Sequence, residues 1–241
     1  MDLNLLPRFK TNPLLVSRLM RRMLPLVKRN LFMPLALMIV FALSRIPGML
    51  PQNFSAAYAL VFCAGVYFPS RLAWWVPLLT LLVTDIGLDI YYLHIGWKVF
   101  EIPVLKYQLI NYAAYGALIW LGRRFKPQSS FLSLLGGGIL GAILFYLITN
   151  TASWLFNPFH NPEYSKDLMG LISALTVGTS GWPQTWEFFR NTLLSGGLFT
   201  GLFVGAMKLT EASESAKEKE PAEEAEEKPE QDAPAPEEAK A

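Results

Sequence analysis

The stretch from Trp74 to Leu93, WWVPLLTLLVTDIGLDIYYL, constrains this chain most. It is an apolar run long enough to cross a bilayer, yet it carries two carboxylates, Asp85 and Asp89. Four residues apart, they share one face of a helix. An acid inside hydrocarbon costs at least a few kcal/mol unless it faces protein, water or a partner, so the pair is the first candidate for function.

The remainder of the sequence supports a membrane setting. Hydrophobic residues make up 52% of the 241 positions and the mean hydropathy is +0.31, too apolar for an ordinary soluble domain. The single cysteine, Cys63, excludes an intrachain disulfide. Two isolated histidines, His94 and His160, make a poor transition-metal site, so no metal and no cofactor is expected. Net charge is +2, but twelve of the 19 acids and four of the 21 basic residues stand from Glu211 onward. That leaves 7 acids against 17 basic residues for the membrane body.

Three regions follow. Residues 1–30 carry Arg8, Lys10, Arg18, Arg21, Arg22, Lys28 and Arg29 among leucines and methionines, a basic amphipathic segment suited to an anionic membrane surface. A cleaved signal peptide is the competing reading, but no small-x-small cleavage site follows the apolar run. Residues 31–207 form the membrane domain. Residues 208–241, rich in Glu, Ala, Pro and Lys, have nothing to bury and are predicted to be a disordered acidic tail.

Within the membrane domain six apolar segments stand at roughly 31–45, 56–69, 73–93, 105–121, 131–150 and 186–207. The fold class expected is therefore all-α, with six transmembrane helices. The second segment is short for a span, which extension by loop residues, little tilt or a thinned bilayer would accommodate. Basic residues precede the first span, and Arg71, Arg123, Arg124 and Lys126 punctuate the later ones; the positive-inside bias then puts both termini in the cytoplasm. The opposite loops hold only Lys98, Lys106 and Lys166 as scattered basic residues, interrupted by Glu101, Glu163 and Asp167. The long loop from Thr151 to Thr185 contains Trp154, Phe156, Phe159, Trp182 and a possible short helix over 166–175, and reads either as a lid or as an inert cap.

Polar groups converge on the outer half. At about 1.5 Å of rise per residue, Asp85 lies roughly 17 Å in from Trp74, just past the middle, with Asp89 beyond it. The fourth span presents Gln108, Asn111, Tyr112 and Tyr115 at i, i+3, i+4 and i+7, one polar and aromatic face bordered by Tyr107. Thr149, Asn150 and Trp154 end the fifth span, Trp186, Glu187, Arg190 and Asn191 begin the sixth, and Arg45, Asn53 and Ser55 follow the first. Such convergence predicts a ligand pocket built from Asn53, Asp85, Asp89, Gln108, Asn111, Tyr112, Tyr115, Asn150, Trp154 and Asn191. The bland alternatives are interfacial charges for Arg45, Glu187 and Arg190, belt anchors for Tyr107, Trp154 and Trp186, and an ion pair of the acids with Arg45 or Arg190. In the inner half Gly137 and Gly141, beside Gly136 and Gly138, and Gly197, Gly201 and Gly205 recur at a spacing that lets helices approach closely, within the chain or against a partner.

On Arg45-Ile-Pro, Asn53-Phe-Ser, Arg71, Pro77-Leu, Thr84-Asp85, Thr149-Asn150 with Trp154, and Phe188-Phe-Arg-Asn-Thr-Leu193, the chain resembles a set of uncharacterised bacterial six-span membrane proteins. Those in turn resemble the substrate-binding S-components of energy-coupling-factor (ECF) transporters, and the likeness covers approximately residues 40–207. It implies a bacterial cytoplasmic (inner) membrane protein that captures a micronutrient-like small molecule from outside. It also implies possible ECF partners, a transmembrane scaffold and two ATPases. The first span lacks the Ala-x-x-x-Ala pattern expected for docking on the scaffold. The N-terminal histidine motif of the nickel and cobalt variants is missing too, which disfavours a metal cargo. With no Gly-x-x-x-x-Gly-Lys-Ser/Thr sequence, the chain does not bind ATP by that device.

The expectation is thus a transporter subunit with no catalytic residues and no nucleic-acid partner, its partners being a small molecule and the bilayer. Two other classes compete. Asp85-x-x-x-Asp89 is a spacing that can hold Mg²⁺ on a pyrophosphate, as in membrane prenyltransferases, although a second acidic motif is missing. Alternatively the chain is a structural or assembly protein whose acids only pair internally and whose tail recruits a partner. Intramembrane aspartyl proteolysis is disfavoured because both acids lie on one helix.

Overall fold

The computed structural model describes the backbone of residues 32–226 and the side chains of residues 38–213. The basic segment expected over residues 1–30, and residues 227–241 of the acidic tail, lie outside the described residues. All regular structure among the described residues is helical: α1 (Phe32–Ser44), α2 (Ala57–Tyr67), α3 (Leu72–His94), α4 (Ile102–Gly122), α5 (Phe131–Phe156), α6 (Leu168–Leu175) and α7 (Thr185–Glu226). Three helices, α3, α5 and the Thr185–Ser213 part of α7, are long and apolar enough to cross a membrane. Helix α4 is as long as a span, but its polar and aromatic face dilutes its apolar character.

Local chemistry sets several of the boundaries. Ser130 caps α5, its hydroxyl accepting from the Ser133 N–H at 3.2 Å, and Asn157 ends that helix in the left-handed conformation (φ 38°) that asparagine tolerates. Helix α5 therefore runs to Phe156, six residues into the stretch predicted as loop. Asp167 caps α6 through the Gly170 N–H at 2.8 Å. Helix α7 continues to Glu226, so residues 208–226 are helical where composition predicts disorder. Glu, Ala and Lys are strong helix formers, and a segment that extends an existing helix needs no new nucleus.

The short second segment is the buried centre of the bundle. Helix α2 spans roughly 16 Å, about half the hydrocarbon core, and all 11 of its residues are buried. A helix that is apolar all round belongs inside protein, and α2 packs against α3, α4, α5 and α7 rather than against lipid. Phe62, Val61 and Ala59 are wholly inaccessible at the centre of the core, with Phe41, Leu81, Leu118, Leu134 and Phe203 around them.

Close approach at one end depends on glycine. A Cβ on Gly122 would stand 2.2 Å from the Phe62 carbonyl oxygen, and one on Gly65 2.4 Å from the Ile119 carbonyl oxygen, so α2 and α4 touch backbone to backbone. Helices α5 and α7 also meet closely at glycine, but against side chains, where Gly138 faces Thr200 and Gly196 faces the Ala142 methyl. Beside Gly138, the glycine repeats noted in the sequence contribute one more tight position, Gly137, against Phe62 and Phe125. Gly141, Gly197 and Gly201 make ordinary contacts within the chain, and Gly205 has nothing within 4 Å of an added Cβ. The basic turns belong to this same end: Arg123, after α4, donates to the Ser70 carbonyl oxygen between α2 and α3 at 3.4 Å.

Candidate functional site

The opposite half is built on the shortness of α2. Because α2 starts deep, the connection from α1 must descend to meet it, and Ser44 accepts from the Ala56 N–H at 3.0 Å there. This carries Arg45 to the level of Asp85, nine residues or roughly 14 Å short of the far end of α3. Helices α3 and α4 rise past that level, and between them lies a cleft of about 190 Å³.

Helix α3 contributes Asp85, Leu88, Asp89 and Tyr92 to the cleft, helix α4 contributes Gln108, Asn111, Tyr112 and Tyr115, and Arg45 completes the lining. The two helices are antiparallel and their polar residues are in register. Tyr112 donates to Asp85 Oδ2 at 2.7 Å, and one turn further along α3 Asp89 accepts from Gln108 Nε2 at 3.2 and 3.3 Å. The other oxygen of Asp85 is paired with the Arg45 guanidinium, both side chains being about five-sixths buried at 15% and 17% exposure. Tyr115 closes the floor, its ring 4.8 Å from that of Phe145 and 6.5 Å from that of Tyr58.

Six of the ten residues proposed from sequence therefore meet: Asp85, Asp89, Gln108, Asn111, Tyr112 and Tyr115. The other four stand outside the cleft lining. Asn53 is exposed in the α1–α2 connection with φ 59°, and Asn191 pins that connection to α7 by donating to the Gln52 carbonyl oxygen at 2.9 Å. Asn150 donates to the Tyr146 carbonyl oxygen of its own helix at 2.9 Å. Trp154 is not a cleft wall: its indole N–H donates to the Ser165 carbonyl oxygen at 2.7 Å, and Lys166 lies over its ring. Lys166 also reaches the free carbonyls of Trp154 and Leu155, closing the C-terminal end of α5. Arg190, a possible partner for the acids on sequence grounds, stands over Trp186 instead.

Three lining residues stand outside those ten: Arg45, read from sequence as an interfacial charge or an ion-pair partner, and Leu88 and Tyr92, which sequence reasoning missed. The signal was present, since 85, 88, 89 and 92 repeat on α3 the i, i+3, i+4, i+7 pattern recognised on α4.

The segment between α5 and α7 leans on the mouth of this region. The ring of Phe159 is 5.9 Å from that of Tyr107, and Trp182 is 6.3 Å from Trp97, which in turn packs at 5.1 Å on the cleft residue Tyr92. Two exposed carboxylates staple the segment. Hydrogen bonds from the Ser180 backbone and side chain hold Glu163 below the usual carboxylate range, and those from the Gly170 N–H and the Ser165 hydroxyl do the same for Asp167.

Among the described residues no group of three His, Cys, Asp or Glu side chains could hold a metal ion. The model of a family of unknown function, DUF6580, matches residues 26–220. Neither a curated protein nor a solved structure matches the chain.

Proposed function

We propose that this chain, which belongs to the DUF6580 family of unknown function, is a membrane capture protein that takes a small polar molecule into the cleft between α3 and α4. The observation that carries this reading is the cleft itself: polar side chains from three separate segments, held in register and walled by tyrosines, leave about 190 Å³ unfilled. Apolar and aromatic walls with a few fixed polar groups are the usual make-up of a small-molecule site. In this reading α1, α2 and α4 complete six spans of a bacterial inner-membrane protein with both termini in the cytoplasm. The basic turns beside Ser70 and Arg123 face inward, and the cleft opens to the outer side. The segment from Asn157 to Gln184 serves as the lid, with Trp182 and Phe159 as its contacts.

The likeness to S-components of ECF transporters extends the proposal: a separate scaffold with its ATPases would supply the energy, and this chain would be no enzyme. The Arg45–Asp85 pair favours one competing reading, a structural protein whose acids only hold helices together. Native mass spectrometry of the gently extracted protein from its own host separates them. A copurifying small molecule together with scaffold and ATPase subunits is the expected result. A ligand without ATPases would make the protein a solitary transporter, and neither of them, in preparations that keep a known complex intact, would favour the structural role.

A further inference from the structure

We infer that the cleft selects a small organic cation and that Asp89 is the group that recognises its charge. The inference rests on the capture reading above and specifies its ligand class.

Three charged side chains face the cleft, and they are not equivalent. Arg45 and Asp85 neutralise each other, and Tyr112 engages the second oxygen of Asp85, so that carboxylate is fully occupied. Asp89 is partnered only by a neutral amide, Gln108, through two long hydrogen bonds, and no basic side chain among the described residues pairs with it. Lys98, on the turn beyond α3, is tied to Glu101. One negative charge is therefore left over in a partly buried site, where a complementary cation gains more than it would in water.

The surroundings decide the kind of cation. A hard metal ion asks for six or more oxygen ligands, and this cleft does not assemble three acidic or imidazole ligands at one point. Tyr92, Tyr112 and Tyr115 instead line the cleft with aromatic rings, the groups that attract ammonium ions, and Asn111 adds an amide that can accept from an N–H donor. The volume lies below the roughly 300 Å³ at which drug-sized sites begin, so the ligand, or the part of it that enters, is small.

The test uses the full chain in nanodiscs, with thermal stabilisation and equilibrium binding measured for benzylamine, tyramine and benzyltrimethylammonium. Benzyl alcohol and benzoate serve as matched neutral and anionic probes. The cations are expected to stabilise the protein, and Asp89→Asn is expected to weaken their binding by about tenfold or more, the weight of a hydrogen bond to a charged group. Asn111→Asp, which adds a third carboxylate and a second unbalanced negative charge without removing a described contact, should tighten cation binding. Equal stabilisation by benzyl alcohol or benzoate, or unchanged cation affinity in Asp89→Asn with no gain in Asn111→Asp, would overturn the cation class and leave the capture reading standing. Stabilisation by none of the probes, with no small molecule copurifying, would overturn both.

Discussion

The two halves of the helix bundle differ in how their helices meet. At the basic end Gly65 and Gly122 let the backbones of α2 and α4 touch, and Phe62 and Phe125 fill what remains, their rings 5.4 Å apart. In the cleft half, α3 and α4 meet through Asp85, Asp89, Gln108 and Tyr112, side chains that hold the helices apart as they hydrogen-bond across the gap. Glycine contacts exclude everything else, whereas long polar side chains leave room that something can enter. The same helix, α4, does both, closed at its Gly122 end and open around Gln108.

The largest test of this contrast is Arg45→Met. It leaves the Asp85 carboxylate partly buried and unpaired, and unfolding measurements should show a loss of about 3 kcal/mol, most of it recovered in the double variant with Asp85→Asn. An unchanged stability would mean that the ion pair does not hold the cleft half together. Next comes Gly122→Ala, whose Cβ would overlap the Phe62 carbonyl and should destabilise by about 2 kcal/mol. Gly205→Ala at an open position should stay within about 0.5 kcal/mol; equal effects at the two glycines would erase the distinction between tight and open positions. Asp89→Asn should also change stability by less than about 1 kcal/mol, because asparagine can still accept from Gln108, which separates a binding residue from a structural one.

The smallest effect is a pH dependence of the segment between α5 and α7, which leans on the mouth of the cleft. Glu163 and Asp167 have folded-state values held below the usual carboxylate range, so the stabilisation they give is present above that range and is lost as pH falls through the lowered values. Acidification should therefore speed amide exchange at Ser180 and Gly170 relative to the spans, and Asp167→Ala, which removes the acceptor of the Gly170 N–H, should reproduce the Gly170 part at neutral pH.

Much of the fold is legible in one dimension. Runs of apolar residues mark α1 to α4 and the starts of α5 and α7 to within a few residues, because hydrocarbon demands helices and the runs are punctuated by Ser130 and the basic turns, while the end of α5 lies six residues beyond its run. The cleft faces were legible too, on α4 through the spacing of Gln108, Asn111, Tyr112 and Tyr115, and on α3 through Asp85 and Asp89. Polarity at a common depth was a weaker guide. It grouped Asn150, Trp154 and Asn191 with the acids, although depth along the bundle says nothing about which side of a helix a residue faces or which neighbour it meets. The glycine stripes are a partial guide for the same reason: a repeat of four identifies a small face and includes the tight Gly137, while the contacts at Gly65, Gly122 and Gly196 lie off the repeat, set by which neighbour happens to pass.

By itself, then, the sequence determined the helices, their amphipathic faces and the presence of acids that need partners, all of which follow from local periodicity and the cost of charge in an apolar medium. Only the tertiary structure decided that the shortest helix is the buried centre, that Arg45 rather than Arg190 meets Asp85, and that Asp89 keeps an unbalanced charge. Those outcomes depend on distances between residues 19 positions apart for Asp89 and Gln108 and 40 for Arg45 and Asp85, which are set by how whole helices pack and by no pattern within any one of them.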